Sequence, residues 1–328
     1  MPRFESWFRA RSLKLVGLIA LALAGCQCGV DKRYAGSDES LKTDQPPLPT
    51  NSLIALWGLN AKDVWAVGDE GAIQHFDGKI WSVVPSPTKK SLLGIGGTAP
   101  DDIWAVGEEG TTVHYDGKTW TASADKLEEG VTYLGVWAAA KSEVWVSGVD
   151  HSIGLLRHFI GDKWEEVPIS AATSLWEVWG FGMKDVWMVG SDSKSAGQTG
   201  FVLRGDAKNF DRFPFEGASL RAIGGSSSDD VWIGAYTGEL YHWNGKEWSA
   251  TPPVAPETHL LSLWAAGAKD IWAVGFDGLI LHFDGKSWTR SESNTKAILW
   301  SVWGSSPKDV WVVGNDGTRL HWNGSAWK

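Results

Sequence analysis

Six of the eight histidines in this chain recur at one position of a repeating pattern: His75, His114, His158, His242, His282 and His321. Arg204 stands where a seventh would fall. Ahead of them runs a series of carboxylates: Asp63, Asp102, Asp185, Asp230, Asp270 and Asp309. Histidine and aspartate are metal ligands and acid–base groups, so such a series invites either chemistry. A metal, however, needs its ligands about 2 Å from one ion. Whether these residues can converge depends on the elements that carry them.

Those elements are repeats. A Trp recurs at Trp65, Trp104, Trp145, Trp187, Trp232, Trp272 and Trp311, with spacings of 39, 41, 42, 45, 40 and 39 residues. Each copy opens with an apolar stretch such as SLIALWG (52–58) and continues into Asp/Glu-Val/Ile-Trp-x-x-Gly. A Gly-containing turn, a segment ending in His-aromatic and an Asp-Gly or Asn-Gly pair follow, then a strand near a second Trp. Asp77-Gly78, Asp116-Gly117, Asn244-Gly245, Asp284-Gly285 and Asn323-Gly324 predict two-residue type I′ hairpins. Four short strands per copy make an antiparallel meander.

The motif strand is apolar on both faces, Val64 and Ala66 on one and Trp65 and Val67 on the other. A sheet with one wet face would alternate apolar and polar residues. Repeated four-stranded sheets, each covered by its neighbours, form an all-β, seven-bladed β-propeller of four-stranded antiparallel blades. In the first strand the fourth position reads Ala55, Gly94, Gly135, Glu177, Ala222, Ser262 and Ser301. Six of the seven are small, as strands converging on an axis require. Equivalent residues then lie far apart around a ring. The histidines are therefore read as structural hydrogen-bonding groups and the aspartates as turn residues capping backbone N–H groups. No metal and no cofactor are expected.

The copies GAIQHFDGKIW and GTTVHYDGKTW resemble bacterial Trp-rich propeller repeats, related to the Asp-box (neuraminidase-type) and photosystem II assembly-factor-like repeats. The tectonin repeat of some lectins is also similar. The resemblance covers residues 52–328 and implies the propeller fold; the lectin likeness implies sugar binding as an alternative to protein binding. The Asp-box likeness implies, as the weakest alternative, a glycosidase of sialidase type, whose chemistry needs an Arg triad and a Tyr nucleophile, and catalysis finds little support. No Gly-x-Ser-x-Gly, His-Glu-x-x-His or phosphate-loop pattern occurs, and the six arginines beyond residue 51 share no repeat position. No catalytic residue is assigned, and the chain reads as a non-enzyme.

Residues 1–25 read as a signal peptide: Arg3, Arg9, Arg11 and Lys14 precede the apolar run 15–25. Leu23-Ala24-Gly25-Cys26 resembles the bacterial lipobox, which implies cleavage before Cys26 and lipidation of its sulfur. Gln27 implies sorting to the outer membrane, with the protein periplasmic or surface-exposed. Residues 26–51 read as a lipidated tether, and 41–47 as the strand that completes blade 7, because the chain stops soon after Trp327. A net charge of −9 carries no basic footprint for nucleic acid. The expectation is a monomer held to the membrane by lipid alone, engaging an envelope protein or a surface glycan.

Departures from the repeat mark where it would do so. Glu177 breaks the small column, and Arg221 breaks an apolar one formed by Ile54, Leu93, Leu134, Trp176, Leu261 and Trp300. Blade 4 carries the insertion 191–200. Glu177, Arg221, Ser191, Asp192, Lys194 and Tyr236 are the candidate binding residues, with a salt bridge between Glu177 and Arg221 as the structural alternative. The loops between second and third strands are acidic, through Asp69, Glu70, Glu108, Glu109, Asp150, Asp192, Asp277 and Asp316.

Overall fold

The computed structural model describes residues 48–123, 129–169, 174–192, 199–206, 208–252, 254 and 258–328. Leu48–Lys328 forms one compact unit. Its 27 strands, β1 to β27 in chain order, fall into seven antiparallel sheets, six of four strands and one of three. Blade 1 is β1 (Leu53–Asn60), β2 (Asp63–Gly68), β3 (Ile73–Phe76) and β4 (Trp81–Val83), hydrogen-bonded in that order. The innermost strands of blades 2 to 7 are β5 (Leu92–Ala99), β9 (Val131–Ala140), β13 (Ser174–Gly182), β17 (Leu220–Ser227), β21 (Leu260–Gly267) and β25 (Leu299–Ser306). Each packs on the next, and β25 returns to β1, so the ring closes.

The blades hold together through apolar layers shared between neighbours. Trp65 and Val67 of blade 1 join Leu92, Ile95, Ile103 and Val113 of blade 2 in one buried cluster. On the other face, Val64 and Ala66 join Trp311 and Val313 of blade 7. The motif strand is thus covered on both sides, with Val64, Ala66 and Val67 wholly buried. The motif Trp meets the second Trp of the following blade edge-on at six of seven interfaces, as in Trp65–Trp120 (5.6 Å) and Trp311–Trp81 (5.4 Å). Phe210 takes that place against Trp145. The small column follows from close approach: a Cβ on Gly94 would lie 3.1 Å from the Leu134 carbonyl of the next blade.

Blade 7 completes its own outer edge. Trp322 bridges Trp327, and His321 and Lys328 exchange two backbone hydrogen bonds of 2.9 and 3.0 Å. Residues 41–47 lie outside the described residues. The chain just after them meets blade 7 elsewhere: Arg319 donates to the Pro49 carbonyl and to Gln74 of blade 1.

The type I′ expectation is corrected. At Asp77-Gly78 only the glycine takes positive φ (91°), and the loop runs on to Ile80 before Phe76 pairs with Trp81. Asp77 instead accepts the Lys79 and Ile80 N–H groups at 2.9 Å, which holds its carboxyl below the ordinary value. Two successive positive-φ residues, the mark of a type I′ turn, occur between β2 and β3 at Glu70 (57°) and Gly71 (72°). They recur at Glu109-Gly110, Asp277-Gly278 and Asp316-Gly317. In these four blades the second of the pair is glycine, which adopts the conformation without strain, whereas blade 3 places His151 (45°) and Ser152 (85°) there.

Candidate functional site

The repeated histidines and carboxylates are locked in pairs, one to a blade. Asp63 accepts from Trp65 Nε1 at 2.8 Å and sits 2.7 Å from His75 Nε2, while the Trp65 and His75 rings stack at 4.1 Å. Asp102 and Asp270 do the same with Trp104 and His114, and with Trp272 and His282. Asp230 and Asp309 meet His242 and His321 at 2.6 Å. These aspartates are therefore not backbone caps; they order the side chains of their own blade. In blade 3 Glu143 replaces Asp, 2.7 Å from His158. Burial lowers the His158 pKa against the opposing pull of Glu143. In blade 4 Arg204 donates to Asp185 at 2.7 Å and lies 4.4 Å over Trp187. Among the described residues no three His, Cys, Asp or Glu gather into a metal-sized group.

Glu177 lies elsewhere, in the wall of the axial channel. A cavity of about 320 Å³ runs there between the fifth to seventh positions of the innermost strands, toward the end that bears their turns into the second strands. Its wall is aromatic: Trp57, Trp137, Trp179, Trp264 and Trp303 occupy the sixth position in five blades. Gly96 and Gly224 occupy it in blades 2 and 5, leaving gaps in the ring. Each of four Trp rings lies across a neighbour's seventh-position backbone. A Cβ on Gly58 would fall 2.6 Å from Trp303, and one on Gly304 2.7 Å from Trp264. Glycine there is what lets the rings lie flat.

Along the inner edge of the ring, the free edge of each innermost strand turns N–H groups inward. The serines at the fourth position satisfy some of them. Leu56 N donates to Ser301 Oγ at 3.1 Å, and Val302 N to Ser262 Oγ at 3.2 Å. Glu177 does the same work with a carboxylate: Ile223 N donates to its Oε2 at 3.0 Å across the interface of blades 4 and 5. Among the described residues it is the one ionisable side chain lining the cavity. Burial pushes its pKa up to about 8, and the Ile223 hydrogen bond offsets only part of that.

The expected Glu177–Arg221 salt bridge does not form. Arg221 sits at the bulge in β17, between the register pairs of Leu220 and Ala222, and its guanidinium lies 3.2 Å over the Trp176 ring. Tyr236 flanks the same guanidinium at 5.5 Å and stacks on His259 at 4.4 Å. Trp176 Nε1 donates to the buried Ser191 Oγ at 3.4 Å. Arg221, Tyr236 and Ser191 thus gather around Trp176 at the end of the loops between second and third strands. Asp192 faces Arg212 at 4.0 Å. Lys194 and Cys26 lie outside the described residues. That end is also less acidic than its loops suggest, because the connections between blades reach it too: Lys90 pairs with Glu109 at 2.6 Å. The Trp-rich sixth column was the residue set that sequence reading missed. It was legible as a column with five Trp and two Gly, had the first strand been compared beyond its fourth position.

No family model and no curated protein matches the chain. Solved structures do. YCF48 bound to a D1 peptide is 15% identical with a TM-score of 0.66, over 84% of this chain and 94% of that one. YCF48 from Cyanidioschyzon merolae is 17% identical with a TM-score of 0.66, over 85% and 97%. Virginiamycin B lyase from Staphylococcus aureus is 10% identical with a TM-score of 0.69, over 82% and 94%. At such identities the likeness is one of fold. The chain shares the propeller fold with all three.

Proposed function

We propose that this protein is a non-enzymatic binding lipoprotein of the bacterial envelope. Lipid on Cys26 tethers it to the outer membrane, and it acts as a monomer that engages a protein partner with one face of the propeller. The observation that carries the reading is the axial cavity, with its aromatic wall and single carboxylate. Pockets of roughly 300–1,000 Å³ with few, placed polar groups are the usual form of a binding site. The repeated Asp–His pairs, by contrast, lie one to a blade around the ring and stack against their own motif Trp rings. The likeness to a propeller solved with a peptide, YCF48, supports the same reading. Five Trp at the cavity wall keep carbohydrate binding as a second reading, since aromatic faces also stack on sugars.

The test has two arms. Mature protein immobilised on beads is exposed to envelope extract, and each captured protein is purified and titrated against the propeller alone. A glycan array is run in parallel. A purified protein that binds directly, with a silent array, supports the proposal; a glycan signal with no direct protein binder replaces it by the lectin reading. In cells, Cys26→Ser is expected to move the protein from membrane to soluble fractions, and its persistence in membranes refutes the anchor.

A further inference from the structure

The cavity has a chemistry more specific than a general binding face. Its wall combines aromatic faces with one carboxylate. Oε2 of Glu177 is occupied by Ile223 N–H, Oε1 has no hydrogen-bond partner among the described residues, and the residue lines the cavity. Beside it, Gly224 lines the cavity with no side chain at the position where five sister blades carry Trp. A carboxylate oxygen without a donor, among indole faces, complements a cation. Aromatic faces attract ammonium and guanidinium groups, the more so when water is excluded. Calcium would demand six to eight oxygen ligands, which one carboxylate does not approach.

Resting on the protein-binding reading above, we propose that the axial channel receives a single lysine or arginine side chain of the partner protein, with Glu177 as its counter-ion and the Trp ring as its sheath. The occupant belongs to a protein because the mouth is apolar on a larger scale. Leu59 (40% exposed) and Phe181 (41% exposed) stand near the ends of β1 and β13, and Phe181 meets Trp179 edge-on at 4.5 Å. A free amine would leave that surface uncovered, whereas a partner loop would bury it. The lysines at this end do not set up a uniformly repulsive rim, since Asp101 and Asp229 hold the same turn position in blades 2 and 5 and Lys141 is paired with Asp101 at 3.0 Å.

Proton linkage gives the proposal a signature. An empty channel favours the protonated carboxyl at Glu177, and an entering cation requires the charged form. Binding therefore releases a proton at neutral pH, and affinity rises about tenfold per pH unit until the pH passes the Glu177 pKa near 8. The groups on adjoining strands leave this to Glu177. β9 carries no ionisable side chain other than the Tyr133 phenol. Arg221 on β17 is stacked on Trp176, Asp185 is paired with Arg204, and Asp192 faces Arg212. In blade 3 Glu143 is paired with His158, Asp150 with His151, and Arg157 with the Tyr133 hydroxyl.

The experiment titrates the mature protein with blocked pentapeptides, two glycines on either side of Lys, Arg, norleucine or Glu, and with butylammonium, between pH 6 and 9. Indole fluorescence and calorimetry report binding. The Lys and Arg peptides are expected to bind at least tenfold tighter than the norleucine and Glu peptides, with affinity climbing to pH 8 and then levelling. Glu177→Gln should remove both the preference and the pH dependence while its melting temperature stays equal or rises. Equal binding of norleucine, affinity that strengthens as pH falls, or an unaltered Glu177→Gln overturns the proposal. So does butylammonium binding as tightly as the peptides, which makes the channel an amine receptor. These outcomes are separable from the broader reading: a directly binding envelope protein that Glu177→Gln still holds leaves the protein-binding function standing and removes the channel from it.

Discussion

At the scale of the residue, the same side-chain type serves opposite purposes by placement. Asp270 is a charge held by two donors, Trp272 Nε1 and His282 Nε2. Asp270→Ala leaves both without their acceptor, and Trp272 is almost wholly buried. A loss of about 1–3 kcal/mol is expected in denaturant unfolding, and the same change in blade 6 should leave peptide binding at the channel intact. Glu177 is the reverse case, a carboxylate whose burial favours the neutral form. Its folded pKa of about 8 exceeds the ordinary 4.5. Between those values the folded state holds a proton that the unfolded state has lost, so stability falls as pH rises from 4.5 to 8 and is flat above. Access to channel solvent tempers the effect to ~2–4 kcal/mol. Glu177→Gln should therefore match the parent's melting temperature at pH 4 and exceed it at pH 8.5. A melting-temperature gap between variant and parent that does not widen with pH over that window contradicts the burial argument. His158 acts with the opposite sign. Its pKa is lowered in the fold, so its share of stability is complete above the ordinary 6.5 and is lost as pH falls below it.

At the scale of the element, the blade is a meander whose turns divide labour. Between β3 and β4 an Asp side chain caps two N–H groups and one glycine takes positive φ. Between β2 and β3 two successive residues take it. Gly278→Val, at φ 66° and with a Cβ 2.1 Å from the Thr295 carbonyl, should cost more than 2 kcal/mol or prevent folding. Gly161→Ala also has positive φ (70°) but meets nothing within 4 Å, and should cost about 1 kcal/mol. Paired melting curves separate steric collision from backbone strain. The short outer strand of blade 7 offers another comparison. Removing residues 326–328 takes away three backbone hydrogen bonds and the Trp327 ring, which packs on Trp272 at 5.3 Å. A marked fall in melting temperature is expected, because burial of a large aromatic ring contributes about 3–5 kcal/mol.

At the scale of the molecule, closure makes every blade interface structural, including that of blades 7 and 1, sealed by Leu53, Leu56, Trp311 and Val313. A ring with no free seam distributes the cost of one departure over its neighbours. That is how blade 4 accommodates Arg204 in place of His and Glu177 in place of a small residue. It also places the two departures of blades 4 and 5 at different depths of one interface. Glu177 faces the cavity, and Arg221 rests on Trp176 nearer the opposite end. Ser191 lies on the Arg221 side of that interface, since Trp176 donates to it. The two ends are thus chemically distinct: the cavity end is lined by Glu177, and the opposite end gathers Arg221, Tyr236 and Ser191 around Trp176.

The sequence by itself determined the number of blades, the strands of each and the burial of the motif Trp, because these follow from period and alternation, which are properties of the chain. Val64, Trp65, Ala66 and Val67 can be satisfied only between two other sheets, whatever those sheets are. The small fourth column was legible for the same reason, since convergence acts on all blades alike. The partner of a side chain was not. Asp63 sits beside a turn in the chain, yet binds Trp65 and His75 because the β2–β3 register brings His75 opposite Trp65. Glu177 and Arg221 lie 44 residues apart and on touching strands, which suggested a salt bridge. The tertiary structure decided otherwise. The bulge at Trp176 and Arg221 turns the third position away from the fourth, so that the guanidinium meets an indole and the carboxylate meets a backbone N–H. Pairing depends on direction as well as distance, and direction is set by the bulge, the twist and the neighbouring blade.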